Sequence, residues 1–313
     1  MSYSTSAATQ LQWLLTHIDG AYAPNTVRAF RADFEEFITF CEACGECALP
    51  ASAQAVSRFV EMVTKKSLAS ATIRRKLVSI GSVHRLCETP DPTKAGCVTL
   101  AVRKMHRQLG RANQQAQPIN KDILEKMLTA CAHDDHGSQL LGMRNRVLLL
   151  MAYDTMARRS ELVSLRFEDV DSDPHSELSS CGIYLRRSKV DQEAKGRWLP
   201  ITQRTLEAIQ AWSKAIGDSK GPILRSIRGK TISKSLGSGQ VGRILKGLAK
   251  EAHLPAGLAQ RISGHSLRVG AAQDWTIRGL SLPQLMVMGG WEKPDTVIRY
   301  IGRSRIRIEG ISL

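Results

Sequence analysis

Apolar residues recur every three to four positions along much of the chain, the spacing that lines one face of an α-helix. Val27, Phe30, Phe34, Phe37 and Cys41 make one such stripe, with Pro24 and Asn25 as a start signal and Gly45 as a stop. Ile73, Leu77, Ile80 and His84 make another, and Arg74, Arg75 and Lys76 fall off it. Shorter helices are predicted from about Ala53 to Lys65 and from about Val98 to Leu109. This stretch reads as a small all-helical bundle with one basic helix, an element a DNA major groove can admit.

The periodicity lapses from Gly110 to Pro118, which is polar throughout and reads as a linker. The division expected is a helical domain over 1–112, a linker over 113–119 and a second domain over 120–313. Beyond the linker, Ile123, Leu124, Met127, Leu128 and Cys131 restart a helix, and Val147 to Tyr153 is apolar enough for a buried helix core. Gly182 to Arg187 and Arg197 to Ile201 alternate instead, on either side of the polar loop Val190 to Gly196, which predicts a β-hairpin. Helices resume from about Gln203. The fold class expected is mainly α, with one small antiparallel sheet in the second domain.

Charge sharpens this picture. The 313 residues carry 44 Lys and Arg against 29 Asp and Glu, a net +15, so a polyanion is the first partner to consider. Residues 1–57 hold two basic and six acidic side chains, net −4, while 58–111 hold twelve basic and three acidic, net +9. Aromatic residues are only 5% of the chain, too few for a groove that stacks single-stranded bases, so duplex DNA fits better. The longest apolar run, Val147 to Tyr153, is far short of the ~18 residues a membrane span needs. The first residues lack the charged region of a secretory signal, and the seven Cys suit reduced thiols, so a cytoplasmic protein is expected. Cys41, Cys44 and Cys47 form CxxCxxC, one ligand short of a closed zinc site, and His133-Asp134-Asp135-His136 reads as a solvated loop; neither is taken as a metal site.

The chemistry concentrates in the second domain. In Ser263-Gly264-His265-Ser266-Leu267-Arg268, an imidazole and a guanidinium three residues apart can share one helical face and address one phosphate. In Arg158-Arg159-Ser160-Glu161-Leu162, Glu161 can brace Arg158 over the same interval. Gly289-Gly290-Trp291 precedes Tyr300 by nine residues. The ordered set Arg158, Lys189, His265, Arg268, Trp291 and Tyr300 resembles the active-site signature of the tyrosine recombinase (phage integrase) family, and SGHSLRVGAA with QLMVMGGW and VIRYI is most similar to its Cre-like branch.

That resemblance implies an N-terminal core-binding, SAM-like domain and a C-terminal catalytic domain. It implies a site-specific recombinase that cleaves and rejoins duplex DNA through a 3′-phosphotyrosyl link and a Holliday junction, as a tetramer on two inverted-repeat sites, without a cofactor or metal. Tyr300 is then the nucleophile, Arg158 and Arg268 clamp the phosphate, His265 bonds it or accepts the phenolic proton, and Trp291 donates its indole N–H. Glu161 orients the first Arg. Lys189, or alternatively Lys195 in the same loop, protonates the leaving 5′-oxygen. Arg74, Arg75 and Lys76 are the DNA-binding candidates, and the tail Ile301 to Leu313 is expected to dock on a neighbouring protomer. A type IB topoisomerase-like relaxing enzyme and a DNA-binding relative without catalysis are the alternatives.

Overall fold

The structure, a computed structural model, describes residues 6–110, 115–131, 139–171, 181–188, 196–229 and 231–302. The chain divides into two compact units, 1–114 and 115–313.

Five helices build the first unit: α1 (Ala7–His17), α2 (Pro24–Ala43), α3 (Ala53–Lys65), α4 (Ser70–Leu86) and α5 (Gly96–Leu109). The stripe on α2 is buried as its spacing predicts, and Phe37 meets Phe59 of α3 edge-on at 5.2 Å. Ser6 and Ser52 each accept a first-turn amide, which starts α1 and α3. Helix α1, which the sequence reading passes over, adds Leu11, Leu14 and Leu15 to the core. His84 is a core residue: its Nε2 accepts the Ala51 amide at 3.0 Å, its Nδ1 lies 2.8 Å from the Ile80 carbonyl, and burial lowers its pKa. It is therefore a neutral imidazole with the proton on Nδ1. Cys41 is fully buried in the same core, which pushes its thiol up to about 11, the opposite of what a metal ligand needs.

One sequence expectation fails here. Lys76 does not lie on the polar face of α4; it is 6% exposed and its ammonium sits 3.3 Å from Asp33 and 2.5 Å from Glu36, both on α2. Arg75 donates to Asp33 at 2.6 Å, as does the Ser79 hydroxyl at 2.8 Å, so a buried carboxylate draws the basic side of α4 inward. Arg74 stays exposed, and Arg75 keeps about half its side chain in solvent.

The second unit contains α6 (Lys121–Ala130), α7 (Gln139–Thr155), α8 (Arg159–Leu162), β1 (Val170–Asp171), β2 (Cys181–Leu185), β3 (Arg197–Ile201), α9 (Gln203–Ile216), β4 (Ile227–Arg228), β5 (Thr231–Ile232), α10 (Ser238–Glu251), α11 (Ala256–Arg261), α12 (Ser266–Ile277), α13 (Leu282–Gly289) and α14 (Pro294–Ile301). Its strands form an antiparallel sheet in the order β1-β2-β3 and a separate β4-β5 pair, one sheet more than expected. Two-residue strands leave no alternation to read. Strand β2 also ends at Leu185, and beyond it Arg186 turns its guanidinium to Asp169 at 2.7 Å.

Helix α7 is the axis of this unit, with every residue from Val147 to Thr155 buried. Asp154 near its end accepts the Thr202 amide and hydroxyl, both at 2.8 Å, and the Thr205 hydroxyl at 2.5 Å. That carboxylate pins the end of α7 to the turn between β3 and α9. Residues read as linker also belong here: the Gln117 and Ile119 amides bond the carbonyls of Arg261 and Ser266, at 3.2 and 3.0 Å, and Ile119 is fully buried. No helix among the described residues is long and apolar enough to cross a membrane.

Candidate active site

Helix α7 breaks at Met156, whose φ of +47° lies in the left-handed region that favours glycine. The side chain is fully buried, and its packing offsets the backbone cost. The chain leaves this kink through Ala157 and enters α8 with Arg158 as the N-cap. Glu161, on the third helical position, reaches back to the Arg158 amide at 2.9 Å and to its Nη1 at 2.7 Å. The second arm of Arg158 donates to the Gly290 carbonyl at 3.0 Å. Arg159 points elsewhere and lies exposed against Gly264.

His265 caps the start of α12, with its amide 3.2 Å from the Ser263 hydroxyl, and Arg268 follows in the first turn. Arg268 is 3% exposed; Nη1 donates to the Met156 carbonyl, and the guanidinium carbon lies 4.0 Å from the Trp291 ring centroid. Its Nη2 and the Trp291 Nε1 are buried and find no acceptor among the described residues. Burial first, then the charge of Arg158, pushes the Arg268 pKa down to about 9. His265 is held below its ordinary 6.5 by crowding and by Arg268, Arg159 and Arg158.

Trp291 is buried where α13 ends, and Gly289 must be glycine because any Cβ there would run into the indole. Tyr300, on α14, sets its ring 5.9 Å from that indole at 63° and is half-buried. Val297 anchors α14 in the core, and Gln273 of α12 donates to the Tyr300 carbonyl at 2.8 Å.

The structure thus brings together Arg158, Glu161, His265, Arg268, Trp291 and Tyr300 from three helices, α8, α12 and α14, and the turn that follows α13. Lys189 and Lys195 lie outside the described residues, as do His133 to His136 and the tail beyond Gly302. One further cation joins the cluster: Arg197, at the start of β3, lies 3.7 Å from Glu161 and bonds the last carbonyls of α13. Two guanidiniums, those of Arg158 and Arg197, therefore share the Glu161 carboxylate, and Arg268 stands beside them bonded to a main-chain carbonyl. An arrangement so short of negative charge is built for an anion, and a planar fork on each side suits a phosphodiester.

The model of the phage integrase family matches residues 117–305, and that of the phage integrase N-terminal SAM-like domain matches residues 13–88. The chain belongs to the phage integrase family. It is a tyrosine recombinase, an enzyme that breaks and rejoins DNA. Among its relatives, the recombinase Cre of Escherichia phage P1 is 23% identical over 296 residues, covering 90% of this chain and 84% of Cre. An integrase/recombinase XerD homologue of Selenomonas ruminantium is 26% identical over 300 residues, covering 92% and 84%. The fold is shared with a post-cleavage complex of the XerH site-specific recombinase on a palindromic difH substrate, at a TM-score of 0.65 and 14% identity over 97% of this chain and 83% of that one. It is shared also with a lambda integrase dimer bound to a COC′ core site, at 0.64 and 13% over 99% of both chains.

Proposed function

We propose that this tyrosine recombinase is site-specific, and that it cuts duplex DNA with Tyr300 to leave a 3′-phosphotyrosyl bond and a free 5′-hydroxyl. The observation that carries this reading is the packing of Tyr300 and Trp291 against Arg268 and, through Gly290, Arg158. As the phenolic oxygen attacks, the phosphorus gains a fifth ligand and the equatorial oxygens gain charge. Arg158 and Arg268 stabilise that charge from fixed positions, with the free Arg268 Nη2 and Trp291 Nε1 as further donors. The tyrosyl ester keeps the energy of the broken bond, so religation to a second 5′-hydroxyl needs no nucleotide cofactor. Strand exchange between two such sites runs through a Holliday junction held by four protomers, and the apolar tail residues Ile306, Ile308, Ile311 and Leu313 join neighbouring subunits.

The test is covalent capture. The protein is incubated with duplexes of randomised arms around a central 5′-bridging phosphorothiolate, which cannot religate, and detergent-resistant adducts are sequenced. Recovered arms should be inverted repeats, the modified peptide should contain Tyr300, and a plasmid with two copies of the recovered site should recombine. Relaxation of plasmids lacking the site would instead favour a topoisomerase, and failure to form any adduct would refute the reading.

The same phosphorothiolate identifies the general acid, because a 5′-thiol leaves without protonation. Of Lys189→Ala and Lys195→Ala, Lys189→Ala should lose cleavage of the ordinary duplex and regain it on the thio-substrate. Rescue of Lys195→Ala alone would reverse the assignment.

His265 gives a pH dependence. Its depressed pKa keeps it neutral at pH 7, able to accept the phenolic proton, and below 6.5 the unfolded chain binds a proton that the folded one resists. Stability should therefore fall as pH drops below about 6.5, and kcat/KM should fall at the lower pH where the folded imidazole itself takes up a proton. His265→Gln should flatten that acid limb of kcat/KM; an unchanged limb would exclude His265 as its origin.

In the first unit, Arg74→Ala should weaken binding to the recovered site and reduce its log–log salt slope by about one. Lys76→Met should instead cost about 2 kcal/mol of stability in a denaturant melt, by depriving Asp33 and Glu36 of a partner, and leave affinity for DNA near wild type.

A further inference from the structure

We infer that Arg197 is a positioning residue of this active site, fixing Trp291 and Arg158 without touching DNA itself; the catalytic meaning of the role rests on the recombinase reading above. Arg197 opens β3, where it pairs with Leu185 of β2 at the loop end of the hairpin. Its Nη1 donates to the Met288 carbonyl at 2.8 Å and reaches the Val287 carbonyl at 3.4 Å, and its Nη2 reaches the Gly289 carbonyl at 3.4 Å. These are the last carbonyls of α13, at the negative end of its dipole; that of Val287 also accepts the Gly290 amide at 3.2 Å. A guanidinium is the one side chain with enough donors in a plane to take several of them at once.

The next two residues are the ones that matter. Gly290 sits at φ +63° directly over Arg197, where a Cβ would come within 2.7 Å of the guanidinium carbon. Its carbonyl holds Arg158, and Trp291 follows it. On its other side Arg197 lies 3.7 Å from Oε2 of Glu161, the same oxygen that accepts the Arg158 amide. One side chain thus ties the loop end of the hairpin to the α13 terminus and to the carboxylate that orients the first clamp arginine. Arg197 is itself largely shielded from solvent, and that burial, with the charge of Arg158, lowers its pKa.

The two halves of the inference have separate readouts. Arg197→Met keeps the length of the side chain and removes its donors; Arg197→Lys keeps one. The Trp291 indole Nε1 resonance, assigned with Trp291→Phe, should shift in Arg197→Met and move part of the way back in Arg197→Lys. On a captured duplex at saturating protein, adduct formation should slow by roughly 100-fold in Arg197→Met, with half-saturation unchanged, and Arg197→Lys should recover part of the rate. The phosphorothiolate should not rescue Arg197→Met, since the defect lies in the clamp and not in the leaving group. An unshifted Trp291 signal, full thio-rescue, or a loss confined to affinity would overturn the inference. A shifted signal in a protein whose wild type forms no adduct would leave the geometric role of Arg197 standing and remove the recombinase reading instead.

Discussion

Tyr300→Phe should form no covalent complex with DNA at all, a loss on the order of a millionfold, as expected when a nucleophile is deleted from a site that otherwise remains intact. The substitution removes one oxygen. The ring that meets Trp291 at 5.9 Å stays, Val297 still anchors α14, and Gln273 still holds the main-chain carbonyl of residue 300. Thermal stability should move by less than about 1 kcal/mol, and affinity for the captured duplex should be that of wild type. The measurement is a denaturing gel of wild type and variant with the phosphorothiolate duplex, alongside a binding isotherm. A persistent adduct in Tyr300→Phe would mean that another residue attacks, and the cluster around Trp291 would need a different explanation.

The second large effect is a split between activity and stability at Arg268. This guanidinium is buried, bonded to a main-chain carbonyl and stacked on an indole, yet the nearby carboxylate, Glu161, is already engaged by Arg158 and Arg197. A charge kept from water without its own counterion costs the folded state, which is the sense of a pKa pushed down to about 9. Arg268→Met should fill the same space, remove that cost and leave the protein as stable as wild type or more so by about 1–3 kcal/mol. Cleavage should fall about a hundred- to a thousandfold, because an essential donor to the transition state is gone. Opposite signs in one variant mark a residue retained for its chemistry. A melt lowered by several kcal/mol, or cleavage at the wild-type rate, would show that Arg268 is there to hold the fold.

What could be read from the sequence follows the kind of signal each feature leaves. Helices α2, α3 and α5 announce themselves because their buried faces recur at helical spacing, and Arg158, His265, Arg268, Trp291 and Tyr300 stand out because their side chains are themselves the chemistry. Arg197 leaves no such trace. Its partners are carbonyls of Val287, Met288 and Gly289, and main-chain atoms are the same whatever the sequence. Lys76 was misplaced for a related reason: beside Arg74 and Arg75 it looks like a surface charge, and only the approach of Asp33 and Glu36 from α2 turns it inward. Strands β4 and β5 are held by two residue pairs, too few for a pattern.

The attachment of α14 carries a consequence for turnover. Helix α7 is buried along nine consecutive residues, whereas α14 has Val297 as its only fully buried side chain among the described residues. Tyr300 and Ile301 lean on the core half-exposed, and Gln273 and Gln115 hold the carbonyls of residues 300 and 299 from neighbouring segments. So little buried surface means that this helix can part from the body at a small fraction of the free energy of global unfolding. Arg158 follows the end of that buried helix by three residues and Arg268 bonds the Met156 carbonyl there, whereas Tyr300 rides on a helix with little buried surface. In the cleavage proposed above, that division keeps the phosphate on a post while the chain end rides on a tether, free to swing before it is resealed.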